Sequence, residues 1–414
     1  MFLRRAFFQS ARELFERLLQ ASVDRIDGQY QAKPGLHYKE RRPITVQSIF
    51  GPCRLTRDCY YLPAENRGHC PADAALALEA GCTPALFRLI SLEGADEASF
   101  QKAQEHLAET GGIEVSARQI QRAIQHIGPA AQSWQEQERA PESCQAPIMY
   151  VSGDGTGVPM RRAELAGRKG KQPDGTARTR QAYLGCVFTQ HKRDEEGHPI
   201  RDHNSTSYLS TFGSIDEFGL LLRKEARRRG SGSVGKIVLL IDGALGLENH
   251  GQINFPGCQQ IVDFYHAAQH LKELLEALFG QGHPEVKKLL GRWKRWLLQD
   301  RVQTIIEAAR ARSQAKPCQE AVAQALHYFE HNISRMQYGT FRELGYFIGS
   351  GVVEAGCKTI IGSRCKQSGM FWSEPGAENI LALRCIRASR QWQNFWKNRA
   401  NEHVARNDTL SLAA

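Results

Sequence analysis

The 414-residue sequence contains no apolar run approaching the length of a membrane helix, so no membrane span is expected. Its start, Met1-Phe2-Leu3-Arg4-Arg5-Ala6-Phe7-Phe8, lacks a sustained apolar core and a cleavage site. It continues as an amphipathic stretch through Leu18-Leu19, which reads as a packing helix in a cytoplasmic protein. The 11 cysteines, scattered from Cys53 to Cys385, include no C-x2-C pair. That spacing argues against a disulfide framework and a standard zinc knuckle, and leaves reduced, buried thiols as the expectation. What is present is positive charge: 54 Lys+Arg stand against 44 Asp+Glu, a formal +10. The excess favours phosphate contacts, although many basic proteins carry none. With 41% hydrophobic residues, the chain can build substantial cores and more than one domain.

Three carboxylates stand out. Ile148-Met149-Tyr150-Val151 leads into Ser152-Gly153-Asp154-Gly155, and Lys236-Ile237-Val238-Leu239-Leu240-Ile241 leads into Asp242-Gly243, so each acid sits where an apolar β-run meets a glycine. Continuous apolar runs are the mark of buried parallel strands, whose C-terminal tips are where open α/β sheets bind ligands. An Asp-Gly after a strand is also an ordinary turn. The third acid, Glu354, lies in Gly349-Ser350-Gly351-Val352-Val353-Glu354-Ala355-Gly356-Cys357-Lys358. Ser350 is an expected N-cap, and Val353, Cys357, Ile360 and Ile361 recur at helical spacing, so the helix can pack on a sheet while presenting Glu354. Glu354 could instead pair with Lys358 on the helix surface, worth only about 0.2–0.5 kcal/mol. The flanking glycines favour close approach of backbone or nucleic acid.

Strand acid, strand acid, helix acid is the order a two-metal phosphodiester site in an RNase H-like fold requires. Cleavage builds negative charge on the attacking and leaving oxygens, and two divalent ions about 3.5–4 Å apart stabilise both. Mg²⁺ is hard and prefers carboxylate oxygens to imidazole or thiolate. Gathered without metal, the three acids would repel one another.

The strings Asp154-Gly155-Thr156-Gly157-Val158-Pro159, Asp242-Gly243-Ala244, Asp263-Phe264-Tyr265-His266-Ala267-Ala268-Gln269-His270-Leu271 and the Glu354 segment, continued by Gly362-Ser363-Arg364-Cys365-Lys366-Gln367-Ser368-Gly369-Met370-Phe371-Trp372, resemble the DDE transposases of insertion sequences, and among them the ISKra4 family. The resemblance runs from the helix-turn-helix region described below to Trp396. It implies Asp154, Asp242 and Glu354 as catalytic and metal-holding residues, two Mg²⁺ (or Mn²⁺) ions, and Asp263 and His266 as an accessory D-x-x-H element. It further implies cleavage and joining of double-stranded DNA at element ends and target, a homo-oligomer, and nucleoid association. Related transposases often carry paired cysteines upstream of the core. Cys53, Cys59, His69, Cys70 and Cys82 lie in the corresponding region without close pairing, which leaves zinc binding there open.

Read from its residues, the D-x-x-H-x-x-x-H run places Asp263, His266 and His270 on one helix face. His at i and i+4 is a zinc-ligand spacing, but no general-base Glu follows the first His. A hydrogen-bonding support role for His266 is an equal reading.

Upstream, Asp96 to Glu109 reads as a helix and Thr110-Gly111-Gly112 as a turn, and Ser116-Ala117-Arg118-Gln119 opens a second helix with a capping box that ends at Gly128-Pro129. Ile120, Ile124 and Ile127 would face inward, leaving Arg118, Gln119, Gln121, Arg122 and Gln125 outward. Arg reads guanine and Gln adenine in the major groove, so this is a candidate recognition helix, or else a plain helical hairpin. The expected organisation is an N-terminal region (1–90), helix-turn-helix (91–131), linker (132–147), RNase H-like core (148–270), all-α insertion (271–338), core resumed with the third acid (339–400), and a tail (401–414). The fold class expected is thus α/β. The basic stretch Arg161 to Arg180 could contact phosphate or form a solvated hairpin. Trp293 and Trp296, beside Lys287-Lys288 and Arg292 to Arg295, could grip DNA or form core, the commoner fate of Trp at helical spacing. Basic residues including Lys358, Arg364 and Lys366 lie nearest the third acid and are expected to meet the strand being cut. The alternatives to an active transposase are a DNA-binding protein with an inactive nuclease core, or a cellular nuclease that needs no helix-turn-helix.

Overall fold

The computed structural model describes residues 2–32, 34–170, 175–243, 251–313 and 319–412. Ala244, part of one motif, and parts of the basic 161–180 stretch, the helical 271–338 segment and the tail lie outside the described residues. The chain forms two compact units, one of Met1–Gln132 with Gln391–Ala414, the other of Ser133–Arg390.

In the first unit a helix, Phe2–Gln29, packs on a hairpin of β1 (His37–Ser48) and β2 (Gly51–Leu62), with β3 (Arg67–His69) added at the edge. Gly51 closes the hairpin at φ +112°, a conformation that favours glycine. On β2 the side chains alternate, so Cys53, Leu55, Arg57 and Cys59 are buried together. Leu55 joins Val23, Val46 and Ala72 in one core. Arg57 is tolerated on that face because its Nε meets Asp73 Oδ1 at 2.5 Å. The Cys53, Cys59 and Cys82 thiols are buried, and burial with a hydrogen bond to Cys59 pushes the Cys70 thiol up to about 12.

The helical part of this unit differs from expectation at both ends. Asp96 closes a helix, Pro84–Asp96, rather than opening one; the next helix, Phe100–His106, starts at Ser99, whose side chain accepts from Lys102 N at 3.1 Å. Gly112, at φ +65°, ends the following turn. The capping box holds: Ser116 N donates to Gln119 Oε1 at 2.8 Å and Gln119 N to Ser116 Oγ at 3.3 Å. Ile120, Ile124 and Ile127 are buried, and Gly94 lets the two helices meet, since a Cβ there would lie 2.6 Å from Ile120. The helix Ala117–Glu136 does not stop at Pro129 but runs through it, because burying Ala131 and Trp134 outweighs one lost backbone hydrogen bond. The extended segment therefore begins after Glu136, not at 132.

The second unit is mixed α/β around a five-stranded sheet in the order β10-β9-β4-β5-β8: β4 (Ile148–Pro159), β5 (Thr179–Gln190), β8 (Ser207–Thr211), β9 (Lys236–Ile241) and β10 (Gln259–Val262). A short ribbon, β6 (Lys192–Arg193) with β7 (Pro199–Ile200), stands apart. The sheet meanders antiparallel from β4 through β5 to β8, and β9 and β10 run parallel to β4 on its other side. Met149, Tyr150 and Val151 are wholly buried, as their apolar run predicts. One face is covered by the helix Ile215–Arg228, whose Phe218 and Leu222 fill the space left by Gly153 and Gly185. On the opposite face lies the helix Gly351–Gly356, where a Cβ on Gly356 would stand 2.8 Å from Leu184 and 2.7 Å from Tyr208. Between β10 and that helix the described residues include no strand. The helices Phe264–Phe279, Pro284–Leu297, Val302–Ser313 and Gln319–Asn332 share a core with Leu271, Leu274 and the fully buried Trp293. Trp296 is half-buried beneath the guanidinium groups of Arg292 and Arg301.

Candidate active site

The parallel pairing of β9 with β4 runs from Ile148↔Lys236 to Ser152↔Leu240. Asp242 follows immediately after β9, and Asp154 lies two residues beyond the last β4 residue paired with it, so both acids emerge at the same edge. Asp154 does not end its strand, however. β4 continues to Pro159 because β5 keeps pairing with it, Asp154 opposite Leu184 and Pro159 opposite Thr179. Asp154 therefore shares a sheet face with Leu184, and this is the face on which Gly356 seats its helix.

Glu354 stands one turn ahead of Cys357 on that helix, and Cys357 reaches Asp154. Burial, the Asp154 charge and a hydrogen bond with Asp154 together push the Cys357 thiol up. Val353, Cys357, Ile360 and Ile361 are buried, as their spacing predicts. The helix widens into i→i+5 turns over Cys357–Gly362. Ser350 precedes the helix without capping it; its hydroxyl instead donates to Glu354 Oε1 at 3.0 Å.

Asp263, at the end of β10, is fully buried. Its Oδ1 accepts from His266 N at 2.7 Å, its Oδ2 accepts from Ser350 N, and its own N–H donates to Ile241 O at 2.7 Å. One side chain thus ties the end of β10 to the start of the Glu354 helix. Burial raises the Asp263 carboxyl, but the hydrogen bonds from His266 and Ser350 outweigh it and hold the group below the ordinary carboxylate range. His266 Nδ1 lies 3.3 Å from Asp263 Oδ1, near enough to pair but without an aligned hydrogen bond. That pairing raises the imidazole pKa against the opposing effect of burial, and the charges of Asp263, Asp242 and Glu354 add to the rise.

Ligand atoms of Asp263, His266 and Glu354 lie within 4.8 Å of one another. Asp154 and Asp242 are outside that group, so the three acids singled out from the sequence share a neighbourhood without converging on one point. Two carboxylates and one imidazole at this spacing make a mixed oxygen–nitrogen donor set that fits a divalent cation.

The basic residues divide. Lys358 and Lys366 are exposed, and Lys366 Nζ donates to Thr156 Oγ1, one step past Asp154 on the same face. Arg364 is instead buried, with Nη1 donating to Met370 Sδ at 3.6 Å and the guanidinium 5.0 Å from the Trp372 ring centre. Burial lowers its pKa to about 10, and a guanidinium so enclosed offers nothing to a DNA strand. In the first unit Arg118 and Arg122 are exposed, whereas Gln119 is committed to its capping box.

Sequence reasoning missed the scaffold behind Glu354. Tyr150 stacks on Phe188 at 4.8 Å, donates to Gln190 Oε1 at 2.6 Å and accepts from Phe347 N at 3.1 Å; Gln190 Nε2 donates to Gly345 O at 3.0 Å. These bonds lay the segment before the Glu354 helix along the sheet. The available signal was two polar groups, Tyr150 and Gln190, inside apolar strands.

No protein-family model matches the chain, and no curated protein matches it. Among solved structures it is similar to the Drosophila P element transposase strand transfer complex, with 10% identity, a TM-score of 0.27, and coverage of 73% of this chain and 79% of that one. No described helix is long and apolar enough to cross a membrane.

Proposed function

We propose that this chain is a DNA transposase, a metal-dependent DDE enzyme of the ISKra4 kind that cleaves and joins DNA strands at the ends of an insertion sequence. In this reading residues 148–270 and 339–400 form an RNase H-like core interrupted by an all-α insertion at 271–338, and 91–131 is the helix-turn-helix. The observation that carries it is the shared edge: the parallel pair β4–β9 delivers Asp154 and Asp242 to one end of the sheet, and Gly356 seats the Glu354 helix on the same face.

Two ions, as the resemblance to DDE transposases implies, would accommodate acids that do not converge on one point. Donors around a single Mg²⁺, each about 2.1 Å from it, lie within roughly 4.2 Å of each other. Two ions about 3.5–4 Å apart accept donors spread over roughly 8 Å, which admits acids that do not converge. Asp154, Asp242 and Glu354 would hold the pair, with Asp263 and His266 beside them; when bound, such ions stabilise charge on the attacking and leaving oxygens. The chain's own residues position these groups. Ser350 orients the Glu354 carboxylate, Asp263 fixes Ser350, and Lys366 sits at Thr156 where it can meet a phosphate beside Asp154. Lys358, Arg118 and Arg122 supply further cations for double-stranded DNA, and a homo-oligomer would bring two element ends together.

The test uses the full chain, Mg²⁺ or Mn²⁺, and duplex DNA carrying the element's ends. Wild type should nick at the ends and EDTA should stop it. Asp154→Asn, Asp242→Asn and Glu354→Gln should each lower the rate by at least about a hundredfold with the fold retained. Unchanged cleavage in all three would dismiss the assignment, and no cleavage by a folded wild type on its own ends would leave a DNA-binding protein.

A further inference from the structure

The helix Gln319–Asn332 sends one side chain back to the candidate site. Tyr328 Oη donates to the main-chain carbonyl of Asp242 at 3.0 Å. Its ring lies against Gly243, where a Cβ would stand 2.8 Å from Cε2 and Oη. Gly243 has φ +86°, so both conformation and space there require glycine. The ring also packs on His270, with centroids 3.9 Å apart, and His270 belongs to the helix that begins just after Asp263.

These contacts bear on a specific weakness. β9 ends at Ile241, so Asp242 has left the strand ladder and its direction is set by whatever holds the next peptide. We infer that Tyr328 is the positioning residue for Asp242: its hydroxyl fixes the Asp242 carbonyl, and its ring, packed on Gly243 and His270, sets the turn that aims the carboxylate. The helix Gln319–Asn332 would then help to place the second acid. The inference rests on the proposed role of Asp242 in holding metal, and adds a residue that neither the acid pattern nor the D-x-x-H element includes.

The experiment titrates Mn²⁺ into the full-length protein, followed by calorimetry and by the electron paramagnetic resonance of free ion. Wild type, Tyr328→Phe, Asp242→Asn and the double variant are compared, with melting temperatures as a check of fold. Tyr328→Phe keeps the ring and removes one hydrogen bond, so Mn²⁺ affinity should fall about two- to tenfold. On the Asp242→Asn background it should cause no further loss. In cleavage, kcat should fall while KM for DNA holds. If Asp242→Asn weakens Mn²⁺ binding and Tyr328→Phe does not, this inference fails and the metal reading stands. If Asp242→Asn itself binds Mn²⁺ like wild type, the metal reading fails and this inference with it. Should Tyr328→Phe unfold, His270→Leu asks the same question by loosening the ring without altering the Asp242–Gly243 backbone: weakened Mn²⁺ binding supports the role, and unchanged binding overturns it.

Discussion

Two glycines bracket Glu354, and the structure gives them different jobs. Gly351 has no atom within 4 Å of where a Cβ would be, whereas at Gly356 a Cβ would stand 2.7 Å from Tyr208 Cε1 and 2.8 Å from Leu184 Cδ2. Comfortable carbon contacts are about 3.5–4.0 Å, so Gly356→Ala must open the helix–sheet gap by about 1 Å. Leu184 is wholly buried on β5 opposite Asp154, and it cannot swing into solvent to make room. Overpacking of this kind costs about 1–3 kcal/mol, against which alanine returns about 0.8–1.0 kcal/mol of helix propensity. The net expectation is a loss of about 0–2 kcal/mol, or a melting temperature lower by no more than roughly 8 °C. Activity should suffer more than stability, because a 1 Å misplacement of a catalytic group can cost about a hundredfold. Gly351→Ala should melt at or above the wild-type temperature. If it nonetheless slows cleavage, DNA approaches that glycine. The measurements are thermal denaturation and single-turnover cleavage of end-bearing duplex. A Gly356→Ala protein that melts and cuts like wild type would refute the packing that places Glu354 beside Asp154.

Three further outcomes follow from other parts of the chain. Arg118→Ala and Arg122→Ala should each weaken binding of duplex DNA and reduce the slope of log affinity against log salt by about 1 if each contacts one phosphate, with an unchanged slope counting against the recognition helix. Asp300 accepts from Gly339 N at 2.7 Å, Thr340 N at 2.9 Å and Thr340 Oγ1 at 2.7 Å, so Asp300→Ala should cost about 1–2 kcal/mol, read as a lower melting temperature with DNA binding by the other unit unaffected. Burial raises the Glu378 carboxyl above its ordinary 4.5; Arg180 opposes the rise, and Glu136 and Glu217 add to it. The folded state then keeps the proton where the unfolded chain has lost it, so stability falls as pH climbs from about 4.5 through the folded-state value. Glu378→Gln should therefore raise the melting temperature at pH 7 and leave it unchanged at pH 4; a gain of equal size at both would point to packing instead of charge.

The sheet strands that carry the acids are legible because each is a short apolar run that ends at a glycine, the pattern of a buried strand. The same logic failed in the first unit. β1 reads as charged and polar, since most of its residues are exposed, and β2 hides its inner face behind an arginine that Asp73, sixteen residues on, makes acceptable. The break at Glu97–Ser99 and the continuation through Pro129 were misread as well. Ser99 caps the helix after the break by a local signal, while the continuation through Pro129 is decided by the buried contacts of Ala131 and Trp134 against one missing N–H.

The site divides along a similar line. Asp154, Asp242 and Glu354 announce themselves by where they sit within their own elements, and a parallel β4–β9 pair is enough to bring the first two to one edge. What those positions do not encode is aim. Asp154 lies mid-strand because β5 outlasts β9 as its neighbour, a property of two other strands. Glu354 is directed through Ser350, which answers to Asp263, 87 residues earlier. The Asp242 peptide is held by Tyr328, 86 residues later, from a helix whose own periodicity explains its core and says nothing of the acid. Arg364 shows the converse, a cation in a basic run whose charge is spent inside the fold against Trp372. Chemistry-bearing residues can be read from sequence when their element fixes them. The residues that orient them belong to other elements, and become visible only when the chain has closed on itself.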